Sequence, residues 1–171
     1  IALRGSDEGI PTLPEVLNEV AGRVPLLVEI KDQDGQMGPN VGPLEQAVAQ
    51  ALSGYVGPVA VMSFNPNSMA IMSELAPNLP RGLVTDAFEP KEWGFSEEIC
   101  APLRAISQFD AVGASFISHD WRDIDRPRVA ELKAQGANIL CWTVKSPDQE
   151  ITARKVAQNI TFERYLAPID A

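Results

Sequence analysis

The stretch "RVPLLVEIKDQDG", residues 23–35, decides the fold. From Leu26 to Ile30 it is apolar except for Glu29, and Lys31 follows. Side chains alternate along a strand, so Leu27, Glu29 and Lys31 share one face while Val28 and Ile30 share the other. The run reads as a buried strand that delivers a carboxylate and an amine to its C-terminal end. A carboxylate facing inward there is costly unless it is paired or bound to a metal. One reading, from spacing alone, is that Glu29 and Lys31 pair with each other and close a layer of the core.

Outward from this stretch, β-rich runs recur at intervals of roughly 20–35 residues: 25–31, 58–64, 81–85, 111–118, 138–144 and 159–165. Helical patterns separate most of them. "GPLEQAVAQAL" stacks Leu44, Val48, Ala51 and Leu52 on one stripe, "NPNSMAIMSEL" gathers Ile71, Met72 and Leu75, and "DRPRVAELKAQG" stops at Gly136. Asn65-Pro66 and Ser146-Pro147 each supply an N-cap followed by proline at the first helical position. Ser146 with Gln149, and Thr12 with Glu15, have the spacing of a capping box. Short strand-to-helix junctions of this kind imply βα units and a parallel sheet. Six such units fit a doubly wound sheet, or a TIM (β/α)8-type barrel that is incomplete, its first two strands missing. A whole barrel takes about 250 residues. Segment 85–102 is the least periodic and reads as a long βα connection.

The chain has 171 residues, 45% of them hydrophobic, and reads as a single domain over 1–171. No apolar run reaches the ~18 residues of a transmembrane helix. A net charge of −9 argues against nucleic acid as a partner and against an anionic membrane surface. Cys141, inside "NILCWTV", reads as a small buried hydrophobe rather than half of a disulfide with Cys100. A reducing compartment fits that reading, so the expected location is cytoplasmic. The sequence opens at Ile1 rather than Met, which fits a front that lies elsewhere.

The words in the sequence carry a resemblance. "GIPTLPEVLNEVAGRVPLLVEIK" resembles the glycerophosphodiester phosphodiesterase family, in which a helix opening on "IPTL-EVL" leads into a strand ending in "EIK". "VMSFNP" is similar to its "SF" strand end and "ILCWTVKSP" to its "WTV" strand end, in the same order. The resemblance implies a metal-dependent TIM barrel that hydrolyses glycerophosphodiesters to an alcohol and glycerol 3-phosphate. By position, Glu29 matches an acidic metal ligand and Lys31 the lysine that approaches the phosphate. Trp142 matches the tryptophan that walls the substrate pocket, and Phe64 and Ser63 its neighbouring rim. The implied cofactor is a divalent metal ion, Mg2+ or Ca2+, both hard cations that take oxygen ligands. The implied partner is a small glycerophosphodiester.

The family's "HRG", "E-D" and "HD" motifs, which hold its acid–base histidines and remaining ligands, do not precede Glu29 here. No catalytic residue is therefore assigned, and the chain alone is expected to be inactive. "SHD" at 118–120 lies in the wrong place for that "HD"; His119, the sole histidine, is a candidate for the pocket mouth but reads more readily as a loop or capping residue. Thr161-Phe162-Glu163 stands where many members read "TD-P". "DQDGQMG" lacks the spacing of a calcium loop and reads as a βα loop. Strand 25–31, left without a neighbour, would be an apolar edge open to self-association. Two other functions stay open: a non-catalytic barrel remnant serving as a binding or structural module, and another TIM-barrel phospholipid phosphoesterase.

Overall fold

The computed structural model describes residues 1 and 3–168. Six strands form one parallel sheet: β1 (Leu26–Glu29), β2 (Val59–Ser63), β3 (Arg81–Thr85), β4 (Phe116–Asp120), β5 (Asn138–Val144) and β6 (Asn159–Phe162). Strand order follows chain order without reversal. A doubly wound sheet reverses at a switch point; this sheet has none, so every crossover steps the same way and the helices fall on one face. The result is a curled, incomplete barrel of six strands.

The helices are α1 (Leu13–Val20), α2 (Pro43–Leu52), α3 (Pro66–Leu75), α4 (Pro90–Trp93), α5 (Glu97–Arg104), α6 (Pro127–Ala134) and α7 (Pro147–Ala153). Local chemistry sets their ends. Glu15 accepts the Thr12 N–H at 2.7 Å, and the Asn65 side chain accepts the Asn67 N–H at 2.9 Å. Gly136 follows α6 with φ +99°, a conformation that a Cβ would resist. The Ser146 box closes only by half. Ser146 accepts the Gln149 N–H at 3.4 Å, but Gln149 Oε1 accepts from Lys145, one residue farther back than the box predicts.

Two cores flank the sheet. The larger lies between strands and helices: Val61, Leu83, Ile117, Ile139 and Cys141 pack against Val48, Met69, Met72, Val129 and Leu132. The smaller fills the concave face with Met62, Val84 and Phe116, bordered by Ala60, Phe64, Leu140 and Trp142. Strand parity therefore has a clear meaning here. Odd-numbered positions on β1, and even-numbered ones on β2 to β4 and on β5 as far as Trp142, point inward; a register shift between Cys141 and Val144 returns Val144 to the helix-side core.

Two sequence expectations are corrected. The run 111–118 does not form the fourth strand. Gly113 sits in a left-handed turn whose carbonyl accepts from Arg81, so β4 starts only at Phe116. It continues to Asp120 because its ladder with β5 runs on to Trp142. Segment 85–102 is not irregular throughout. It contains the single-turn α4 and most of α5, whose interior carries Pro102. Cys100 and Cys141 are free and buried, as the sequence implied, and burial pushes the Cys141 thiol up to about 11.

Candidate functional site

The inward parity positions at the C-terminal ends of the strands are Glu29 and Lys31 on and just beyond β1, Phe64 beyond β2, Asp86 beyond β3, Asp120 on β4 and Trp142 on β5. Barrel enzymes carry their chemistry on this rim. Glu29 lies opposite Met62 in the β1–β2 ladder, and the Ile30 N–H still bonds the Met62 carbonyl at 2.8 Å.

Glu29 and Lys31 form an ion pair, Nζ to Oε1, at 2.7 Å. Glu29 retains 24% of its side-chain exposure and Lys31 72%. The carboxylate is thus relieved both by its partner and by water, which answers why the strand tolerates it. The pair is the arrangement that spacing alone suggested.

Phe64 and Trp142 meet edge to face, ring centroids 5.4 Å apart. Trp142 points inward, which parity by itself left open. Its indole N–H donates to the Ser118 carbonyl at 3.0 Å, and this fixes the ring across β4. Beside it, Asp120 is buried and holds the Arg122 guanidinium and backbone N–H. Asp120 and Arg122 line a cleft of about 280 Å³ with Trp142, Thr143, Lys145 and Gln149. Read from the sequence, the fourth strand ends at Ser118, two residues short, which gives Asp120 and Arg122 no role; their only signal is a charged pair at a strand end.

Other candidates lie elsewhere. Ser63 faces the helices, not the rim; it is buried and its hydroxyl accepts the Asn65 N–H at 3.1 Å. His119 also faces outward and is fully buried. Thr85 Oγ1 lies 2.7 Å from its Nδ1 and Asp123 Oδ2 3.3 Å from its Nε2. Burial pushes this imidazole below its ordinary value, against the opposing pull of Asp123. It braces the turn after β4 and does not reach the rim. Glu163 pairs with Lys145 at 2.9 Å. In the loop 32–40, Asp32 and Asp34 spend their carboxylates on backbone N–H groups of Asp34, Gly35, Gln36, Met37, Gly38 and Asn40, so it is a self-bonded βα loop.

A hard cation takes about six or more oxygens. Among the described residues no group of three His, Cys, Asp or Glu side chains stands close enough to hold a metal. Glu29 brings one carboxylate, already engaged by Lys31. These residues do not make a metal site on their own.

Fold and rim together define a TIM-barrel-type protein with an ion pair and an aromatic wall at the C-terminal ends of its strands. The model of the glycerophosphoryl diester phosphodiesterase family matches residues 2–160, and the chain belongs to that family. It is 26% identical over 155 residues to YhdW of Bacillus subtilis (strain 168), a protein provisionally named a glycerophosphodiester phosphodiesterase. The match covers 90% of this chain and 57% of that protein. An Oleispira antarctica phosphodiesterase, solved with the product sn-glycerol-3-phosphate, superposes with a TM-score of 0.68 at 18% identity, over 89% of this chain and 57% of that one. A glycerophosphodiester phosphodiesterase from Parabacteroides distasonis gives 0.63 at 18% identity, over 89% and 59%. The two solved structures bear on the fold alone, and the chain spans less than two thirds of each of these relatives.

Proposed function

We propose that this chain is the larger part of a barrel that hydrolyses glycerophosphodiesters, water cleaving the phosphodiester to release an alcohol and glycerol 3-phosphate. The observation that carries the reading is the Glu29–Lys31 pair at the inward C-terminal end of β1, beside the Phe64–Trp142 wall, in a member of this family. Lys31 is exposed enough to swing from Glu29 to a phosphate oxygen, and a mobile ammonium suits an anion brought into a protein of net charge −9. Phe64 and Trp142 wall the substrate. Glu29 is one ligand of a divalent metal ion, Mg2+ or Ca2+, whose other oxygens come from outside these residues.

The test is a phosphodiesterase assay on a chain of the relatives' full length, with and without chelator. Metal-dependent release of glycerol 3-phosphate supports the reading; activity untouched by Glu29→Gln removes Glu29 from it. A second reading, a non-catalytic binding or structural module, draws on the burial of His119 away from the rim and on the single carboxylate at β1. It gains if the full-length chain binds glycerol 3-phosphate without turnover.

A further inference from the structure

The junction between β2 and α3 carries a side chain that the proposed reaction leaves unassigned. Asn65 is fully buried and caps α3, its Oδ1 accepting the Asn67 N–H at 2.9 Å. A hydroxyl does the same work at α7, where Ser146 is the cap. The amide nitrogen of Asn65 has no part in the cap. It donates to Asp32 Oδ1 and to the Gly38 carbonyl, both at 2.8 Å, across 33 and 27 residues of sequence. Asn67 Nδ2 adds a third bond, to the Met37 carbonyl at 3.0 Å.

These bonds fix the place of loop 32–40 rather than its shape. Asp32 and Asp34 already fold the loop on itself by accepting its own backbone N–H groups. Met37 sits at φ +58°, a conformation that a residue with a Cβ keeps only where its surroundings hold it. None of the loop's internal contacts says where it stands relative to β2 and α3; the three from Asn65 and Asn67 do. Asp32 is the residue after Lys31, and Asn65 the residue after Phe64. One hydrogen bond thus joins the positions directly behind two rim side chains. The Lys31 carbonyl is held too, by Gln33 Nε2 at 2.9 Å, while the ammonium keeps its freedom on an exposed stem. Phe64 stands between Trp93 and Trp142, ring centroids 5.2 and 5.4 Å away, so its own place is set from both sides. What remains to be set is the span from Phe64 to Lys31.

We infer that Asn65 is a positioning residue for the reaction: through Asp32 it fixes the span between Phe64 and Lys31, so that the ammonium meets a phosphate oxygen of a substrate lying against Phe64. This rests on the reading of Lys31 as the phosphate contact. A misplacement of about 1 Å can cost on the order of a hundredfold in rate, so the bond acts on turnover beyond what it adds to stability.

The test uses a chain of the relatives' length and glycerophosphocholine as substrate. kcat and KM are measured for Asn65→Ser, which keeps a capping oxygen and removes the amide, for Lys31→Ala, and for the two together. Asn65→Ser should lower kcat/KM by about tenfold. In the Lys31→Ala background the same change should cost about twofold or less, because the group it positions is gone. Losses that multiply in the double variant, or an Asn65→Ser enzyme as active as the parent, overturn the inference and leave the reading of Lys31 standing. If Lys31→Ala costs nothing, or glycerophosphocholine is not hydrolysed, the reading falls and the inference with it. Should Asn65→Ser not fold, the exchange Asp32→Asn with Asn65→Asp decides, since it sets one amide against one carboxylate again and keeps the cap. It should recover most of the kcat/KM that Asn65→Asp alone loses; an exchange no better than Asn65→Asp alone overturns the inference.

Discussion

Gly82 lies under the Phe116 ring on the concave face. A Cβ built there would come within 2.3 to 2.5 Å of three ring carbons, well inside any real contact. The close approach, not an unusual φ, is what requires glycine. Gly82→Ala should therefore destabilise the fold by about 1–3 kcal/mol, the ordinary cost of overpacking. Adding Phe116→Leu should recover part of the loss, because the obstructing ring is gone. Urea unfolding of the three variants checks this; additive losses would mean the two sites do not meet. Trp142→Phe keeps an aromatic against Phe64 but leaves the Ser118 carbonyl without its indole donor. A loss of about 1 kcal/mol is expected, read by the same unfolding curves. Glu29 and Lys31 were legible in the sequence because strand parity sets two charges on one face, and no rule of packing puts them there idly. Trp93 was not. Its place depends on Arg104 reaching back about 16 residues to hold the Ala87 and Phe88 carbonyls of the loop, and such a contact leaves no periodic trace.

The elements themselves were read best where their ends are chemical. β3 and β5 fall on the expected residues, 81–85 and 138–144, and α3 and α7 begin at the prolines after Asn65 and Ser146. β4 was misplaced because "AVGAS" has strand composition, whereas its conformation is set by a turn at Gly113 tied to Arg81. The loop 32–40 shows how a βα connection can be rigid without regular structure. Burial of Asp32 tends to raise its carboxyl. Donation from the Asn65 side chain and from the Met37, Asp34 and Gly35 N–H groups outweighs this and holds it below the usual aspartate range. The folded value thus lies below the unfolded one. The stabilisation is present above the unfolded pKa, near 3.9, and is lost as pH falls through the lower, folded value. Asp32→Asn should lower stability at pH 7 and flatten the acid limb of the stability curve. Thermal unfolding between pH 7 and 2 measures both, and parallel curves for the two proteins would show that the loop draws nothing from the ionised carboxylate.

At the scale of the whole molecule, among the described residues β1 pairs only with β2 and β6 only with β5. Leu27 on the inward face of β1 keeps 38% of its exposure and Phe162 on β6 keeps 42%. Unpaired N–H and C=O groups beside exposed apolar side chains template pairing with another chain. The 171-residue chain should therefore associate in solution, and Leu27→Lys, which sets a charge on the β1 edge, should shift it toward monomer. Sedimentation velocity over a concentration series reads both. The same incompleteness bears on catalysis. Hydrolysis of a phosphodiester needs a base for water, an acid for the leaving alkoxide and a polarising charge. Among the described residues the one histidine is buried on the helix side, braced by Thr85 and Asp123, and the rim offers an ion pair instead of an acid–base couple. Verified 171-residue chains should show no metal-dependent turnover of glycerophosphodiesters, while a chain of the relatives' length should show it. If the shorter chain turns over at a normal enzymatic rate and Lys31→Ala leaves that rate unchanged, the chemistry resides in groups other than those at the end of β1.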